Sequence, residues 1–365
     1  MRRQAFALAL SLLAETVQAQ EPADQAPLAS VAVEALPQTA AEASAEQSPA
    51  ASAQLDAVVV TAQKREASLQ KTPISLLAFD KKKLETLGIQ GVADLATNVP
   101  ALTVDPFPTN NAQLRLFIRG IGIIDAQVTQ DAAVGVYIDG VYIARSAGLA
   151  LDVADLSRVE VLRGPQGTLY GRNATGGAIN LVTKRPVLGV FSTAETLSIS
   201  SRNTLTAKGT ANIPLGETAA IKLSAIGNRR DGVVGNSGPG VEFGDHRDTG
   251  LRLDGRWRPQ DWITADYTYD RSDLTNNNQF FQAVIPSNTT HGQADLFKAS
   301  AQQVSVYSDR RLDSLAASSP YVESSTEVDG HALTLDFGLG AYDLKYIGAY
   351  RTLDDFTYAD LSGGG

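Results

Sequence analysis

Cysteine is absent from the 365 residues, which excludes disulfides and thiolate metal sites. That absence leaves the redox compartment open, since an exported protein can simply lack bridges. Histidine is scarce: His246, His291 and His331 stand far apart with no short metal-ligand spacing, so the sequence predicts no metal site. Basic residues are outnumbered, 31 against 40 acidic ones, for a formal charge of -9. Nucleic acid is therefore a poor partner, because phosphate neutralisation needs a clustered basic surface. No apolar run reaches the roughly 20 residues of a transmembrane helix, so integral membrane insertion would have to use a barrel. A lysine is missing too. The stretch "RVEVLRGPQGTLYGRNATGGAIN" sets Gly164, Gly167, Gly171, Gly176 and Gly177 between strand-like segments, as a phosphate loop would. A Walker-type loop also needs Gly-Lys-Ser/Thr, but Gly171 is followed by Arg172 and Gly176 by Gly177. The dinucleotide spacing Gly-x-Gly-x-x-Gly does not occur there either, which disfavours a nucleotide enzyme.

What is present begins at the N-terminus. "MRRQAFALALSLLAETVQAQ" combines Arg2 and Arg3, an apolar run of about ten residues and small residues before Gln20, the layout of a secretory signal peptide. Residues 1–19 are thus expected to direct export. Residues 20–54, rich in Ala, Pro, Gln, Glu and Ser and free of aromatics, read as a disordered tether. The tether ends at "LDAVVVTAQKR", residues 55–65, a short β-prone run. Such a run suits pairing with another protein's sheet edge, although taken alone it reads more readily as the first strand of the domain that follows.

Residues 66–188 form an α/β module in this reading. "TPISLLAF" is a strand, and Asp80 caps a helix "KKKLETL" that stops at Gly88. "GVADLATNV" is a second short helix ending before Pro100. "LRLFIRG" alternates as a strand. "VGVYIDGVYIA" is a hairpin turning at Asp139-Gly140, and "RVEVLRG" and "GAINLVTK" add two strands. The glycines Gly120, Gly140, Gly164, Gly167, Gly171, Gly176 and Gly177 serve tight turns and close backbone approach.

From residue 189 to 365 the texture changes to alternating strands of about ten residues, one face apolar and the other charged. Ala219, Ile221, Leu223 and Ala225 oppose Lys222 and Ser224; Leu251, Leu253, Gly255 and Trp257 oppose Arg252, Asp254 and Arg256. A sandwich also alternates, so connection lengths discriminate. Those near "PLGET", "RPQD" and "LGAYD" are tight, while those from about Asn228 to Arg247 and Arg271 to Asp329 are long. Alternating tight and long ends belong to an outer-membrane barrel, with a short connection near "SSRN" as the exception. About seven strands are expected, near 190–201, 205–214, 218–228, 248–258, 261–271, 329–340 and 342–354. Seven would leave two open edges, so the barrel is read as incomplete.

This order resembles the TonB-dependent outer-membrane receptors. "LDAVVVTA" is similar to the TonB box, "FIRGIG" and "VGVYIDGVYIARSAG" to central plug motifs, and "VEVLRGPQGTLYGRNATGGAINLVTKRP" to the plug's C-terminal signature. The resemblance implies an α+β plug domain followed by antiparallel transmembrane β-barrel strands, about seven of roughly 22. It implies an outer-membrane receptor without enzymatic activity or cofactor, importing a scarce ligand, most often a ferric siderophore. Cobalamin, glycans and small aromatics are alternative ligands, and a non-transporting plug module that meets TonB in the periplasm is an alternative product. The expected partners are TonB with its inner-membrane energising complex, the ligand and outer-membrane lipid. By the same resemblance Asp56, Ala57, Val58, Val59, Val60, Thr61 and Ala62 form the box, and Arg119, Glu160, Arg163 and Arg172 latch plug to barrel wall.

Overall fold

The computed structural model describes residues 59–358, except 62–63, 65–66, 69, 71, 90, 108–109, 126–128, 148, 150–154, 240–241, 278–312 and 316–321. The expected signal peptide and tether, residues 56–58 and 62 of the expected box, and most of the 271–329 connection lie outside the described residues. All described residues fall in one compact unit, residues 56–365.

The unit opens with β1 (Val59–Val60), which pairs antiparallel with β2 (Ala67–Ser68). The strand expected from Thr72 begins only at Leu76, as β3 (Leu76–Asp80), because the Ile74 amide donates to the Thr72 carbonyl and closes a turn. Helix α1 (Lys81–Leu87) has the expected boundaries. The Asp80 carboxylate accepts from the Lys83 amide at 2.8 Å, and Gly88 ends the helix in the left-handed conformation, φ 66°. The expected second helix is reduced to a 3₁₀ segment, Ala93–Thr97. Gly91 and Pro100 bracket too few residues to offset α-helix nucleation, and Asp94 turns its carboxylate back onto the Gly91 amide.

Strands β4 (Leu102–Phe107), β5 (Asn110–Ile118) and β6 (Ile121–Gly122) form a three-stranded sheet. β3 joins a five-stranded sheet with β7 (Val134–Ile138), β8 (Val141–Ile143), β9 (Leu156–Arg163) and β10 (Gly177–Thr183), helix α2 (Gly167–Tyr170) lying between the last two. Its order is β3-β9-β10-β7-β8, and β10 runs parallel to β7. The period of two sends Val159, Val161, Ile179, Leu181, Val134 and Val136 to one face, where they pack with Leu84, Ile89 and Leu95. Each such buried aliphatic contributes about 1.5–3 kcal/mol. The opposite face carries Tyr137, Leu162 and Ala178, packed with Tyr170 and Ala174, together with Glu160 and Asn180. At the β7–β8 turn Asp139 and Gly140 have φ of 52° and 86°, the two positive values a type I′ turn requires.

Seven strands then follow in sequential antiparallel order: β11 (Ser192–Ser200), β12 (Thr204–Pro214), β13 (Ala219–Arg230), β15 (His246–Gln260), β16 (Ile263–Asn276), β18 (Ser324–Leu339) and β19 (Tyr342–Phe356). The short strands β14 (Gly235–Asn236) and β17 (Ser314–Leu315) pair with each other in the connections. Two-residue turns at 261–262 and 340–341 contrast with the long connections 231–245 and 277–323, while 201–203 is short. Among the described residues the sheet is open, with β11 and β19 as its edges.

The alternation runs opposite to that of a water-soluble sandwich. Leu223 is 39% exposed, whereas its neighbours Lys222 and Ser224 are 3% and 0% exposed. Leu197, Ile199, Leu205, Ile213, Trp257, Tyr267 and Leu333 are likewise exposed, while Asn212, Arg252, Asp254, Asp266 and Thr268 are buried on the plug side. A sandwich would bury the apolar face; a sheet with its dry side outward is built for lipid. No helix among the described residues is long and apolar enough to cross a membrane, which leaves crossing by strands untouched.

Candidate functional site

Two sites emerge on the plug: a docked N-terminal segment and a polar seam against the seven-stranded sheet. The docked segment contains the described part of the expected box, Val59, Val60 and Thr61. Val60 is fully buried, and the chain turns back at Lys64, whose amide donates to the Thr61 carbonyl at 2.8 Å. The Thr61 amide donates to Glu160 Oε1 at 2.8 Å, and its hydroxyl reaches the same oxygen at 3.1 Å. Glu160, itself fully buried, also accepts from Arg158 Nε (2.8 Å) and Asn180 Nδ2 (3.1 Å). Arg158 and Asn180 both donate to the Thr61 hydroxyl. One carboxylate therefore ties the segment to the middle of the five-stranded sheet, and its charge is matched and hydrogen-bonded as a buried charge must be.

Beside it, Lys64 Nζ lies 4.4 Å from the Tyr170 ring centroid and 4.8 Å from that of Tyr137, within cation–π range. The two rings meet edge to face at 4.9 Å, and the Tyr137 hydroxyl donates to the Tyr170 carbonyl. Burial lowers the Lys64 pKa, opposed by the attraction of Glu160. Burial pushes the Tyr137 phenol up to about 12, with Tyr142 adding to it. Tyr170 is raised as well, by burial first and then by Glu160 and Tyr137.

The seam is built on ion pairs at one end and on amide hydrogen bonds at the other. At the β7–β8 turn the Asp139 carboxylate accepts from the Thr183 amide (2.9 Å), the Thr183 hydroxyl (2.7 Å) and Arg252 Nη2 of β15 (3.0 Å). Burial alone would raise its pKa, but Arg185, Arg252 and the Thr183 bonds outweigh it and hold the carboxyl below its usual range. Arg252 is anchored in turn by Asp254, and Asp254 by Thr268. Lys222 of β13 donates to the Lys184 carbonyl at 2.6 Å. Asn212 of β12 takes both the amide and the carbonyl of Val187, fixing the segment that joins plug to sheet. At the other end Asn110 of β5 donates to Asp355 (3.1 Å) and Thr357 (3.0 Å) and accepts from Asn276 (3.1 Å).

The expected latch residues make their described contacts within the plug. Arg119 donates to Ser75 (3.1 Å), Arg172 pairs with Asp131 (2.9 Å) and Glu160 serves the docked segment. Arg163 Nε is buried without a partner among the described residues. Among the described residues, the bonds of these four do not reach β11–β19. Elements that abut these strands include the β7–β8 turn, the end of β10 and the start of β5, and wall contacts come from Asp139, Thr183, Arg185 and Asn110 among others. Sequence reasoning took Asp139 only as a turn residue; the usable signal was the inward charge alternation of Lys222, Arg252 and Asp254.

The glycine-rich stretch resolves into backbone geometry. Gly177 has φ 154°, and a Cβ there would press on the Leu162 carbonyl and meet Ile118 Cδ1 at 2.8 Å. Gly120, Gly164 and Gly171 also have positive φ, and a Cβ on Gly176 would crowd the Ile121 carbonyl. Gly167 is the correction: it opens α2 with no positive φ and open space around it, so no turn or close approach demands it.

A plug lodged against an outward-apolar antiparallel sheet is the architecture of a plugged outer-membrane barrel. Residues 68–178 match the family model TonB-dependent Receptor Plug Domain. The pesticin receptor of Yersinia pestis is 36% identical over 115 residues, which are 31% of this chain and 16% of that protein. The probable TonB-dependent receptor BfrD of Bordetella pertussis is 28% identical over 178 residues, 48% of this chain and 22% of that one. Among solved structures, the ferric yersiniabactin uptake receptor FyuA from Yersinia pestis superposes with a TM-score of 0.62 at 21% identity, covering 77% of this chain and 41% of that one. The ferric-catecholate import receptor Fiu of Escherichia coli, in its open form, gives 0.60 at 18%, covering 80% and 40%. Over residues 68–178 the chain thus carries a TonB-dependent receptor plug domain, and its fold is similar to that of the solved receptors. The chain spans 16% to 22% of the length of these two curated relatives.

Proposed function

We propose that this chain acts as a TonB-dependent receptor for energy-coupled uptake of a ferric siderophore, with no covalent chemistry of its own. The observation that carries the reading is the joint presence of a plug bolted to a lipid-facing sheet and a short β-prone segment beside it. Relatives named for ferripyoverdine and catecholate siderophores support the ligand class. In this reading residues 1–19 direct export, 20–54 tether, 55–65 hold the box, 66–188 form the plug and 189–365 contribute barrel strands. TonB adds a strand to residues 56–62, where a row of main-chain bonds loaded together resists force without side-chain specificity. In this proposal Arg119, Glu160, Arg163 and Arg172 hold the plug against the barrel as the resemblance assigns them; the support is Arg163, whose buried Nε has no hydrogen-bond partner among the described residues.

The test is expression under iron starvation combined with binding of ferric chelates to outer membranes. Induction together with saturable ferric-chelate binding is expected. Absence of both induction and ferric-chelate binding would end the siderophore assignment while leaving the receptor class in place.

A further inference from the structure

The docked segment uses groups that strand addition by a partner would need. Val59 and Val60 already pair with Ser68 and Ala67 of the chain's own β2. The Thr61 amide is taken by Glu160, and Val60 is fully buried. A partner strand cannot form a ladder on residues whose edge is occupied and whose side chain is inside the plug, so docking and partner binding exclude each other. The question is what holds the docked state, and where it gives way.

Tyr170 lies within the glycine-rich stretch whose backbone turns leave its side chain unaccounted for. It belongs to α2, and its ring, with Tyr137 of β7, forms a two-walled seat under the Lys64 ammonium at 4.4 and 4.8 Å. Lys64 adopts a left-handed conformation, φ 60°, at the end of the turn that returns the chain to β2. It lies outside residues 56–62. We propose that Lys64 is the pin of a clasp: seated on Tyr137 and Tyr170, it keeps β1 and Thr61 docked on the plug, and its release frees the segment for a partner strand. The proposal rests on the reading of residues 56–62 as the TonB box. The pin is weak because of its surroundings. Lys64 remains partly solvent-exposed, so its contact shifts the docked population by a modest factor and a bound state elsewhere on the plug can overcome it.

The experiment uses the full chain in outer-membrane vesicles with Val60→Cys as reporter, which is unambiguous because no native cysteine exists. Position 60 is buried when docked, so the maleimide labelling rate of the reporter thiol follows the undocked population. Lys64→Gln should raise the rate about twofold to fivefold, and Lys64→Arg, which keeps a cation over the rings, should label near the parent rate. Thr61→Val, without Lys64 changed, should raise it as well by removing the hydroxyl bonded to Glu160. Parent-like labelling of Lys64→Gln, or equal labelling of the Gln and Arg variants, overturns the clasp. Purified TonB C-terminal domain is the binding probe, and its capture should rise in step with labelling. Raised labelling with no capture in any variant upholds the clasp and overturns the box reading.

Discussion

Asp139, at the tip of a plug hairpin, and Arg252, on the inner face of the seven-stranded sheet, are joined at 3.0 Å although 113 residues separate them. Both side chains are almost wholly buried, 8% and 5% exposed. Asp139→Ala leaves a buried guanidinium with one counter-charge fewer, and loss of a buried partner costs about 3–5 kcal/mol. The expected outcome is a lower urea midpoint for plug release in detergent. Asp139→Asn, which keeps hydrogen-bonding capacity, should lose less. Equal losses would mean that bonding capacity at this position contributes nothing.

The same carboxyl sets a pH dependence. Its pKa is lowered in the folded protein, so the stabilisation is complete above the unfolded value of about 3.9. It is lost as pH falls through the lowered folded value. The parent should therefore keep its advantage over Asp139→Asn at neutral pH and down to about pH 4, then converge with it in stronger acid. Urea midpoints measured along a pH series check this.

The Asn110 end of the seam gives a different expectation. Asn110→Leu leaves the buried Asn276 amide short of a partner, at about 1–3 kcal/mol, and removes one of several hydrogen bonds from the half-buried Asp355. Because Asn110 itself carries no charge, the loss should vary little with salt, whereas exposed ion pairs such as Arg172–Asp131 are screened. Denaturation at two ionic strengths separates the two.

On the lipid face, Leu223→Arg should destabilise the protein in bilayers by about 2–4 kcal/mol if the residue lies near the midplane. Folding measured in vesicles gives the number. A negligible effect would move this face out of the hydrocarbon.

The long strands of the seven-stranded sheet were legible because their sequences alternate, and α1 because Asp80 and Gly88 mark both ends. The Asp139-Gly140 hairpin was legible because few dipeptides tolerate two positive φ values. What escaped was partnership. Thr61 and Glu160 are 99 residues apart, and no local pattern says which buried carboxylate a threonine amide will meet. Arg119 and Arg172 were expected at the wall but bond within the plug, since sequence gives their charge and not the direction of the loop that carries them. The short 3₁₀ segment was overread as a helix because propensity does not count the residues left between Gly91 and Pro100.

Strands β13 and β15 pair residue for residue, Lys222 opposite Asp254 and Ser224 opposite Arg252. Because side chains alternate with a period of two, sliding one strand by a single position would turn its whole charged row into hydrocarbon. The inward charges thus fix the register from the lipid side: a misaligned pairing carries the cost of placing charge in hydrocarbon.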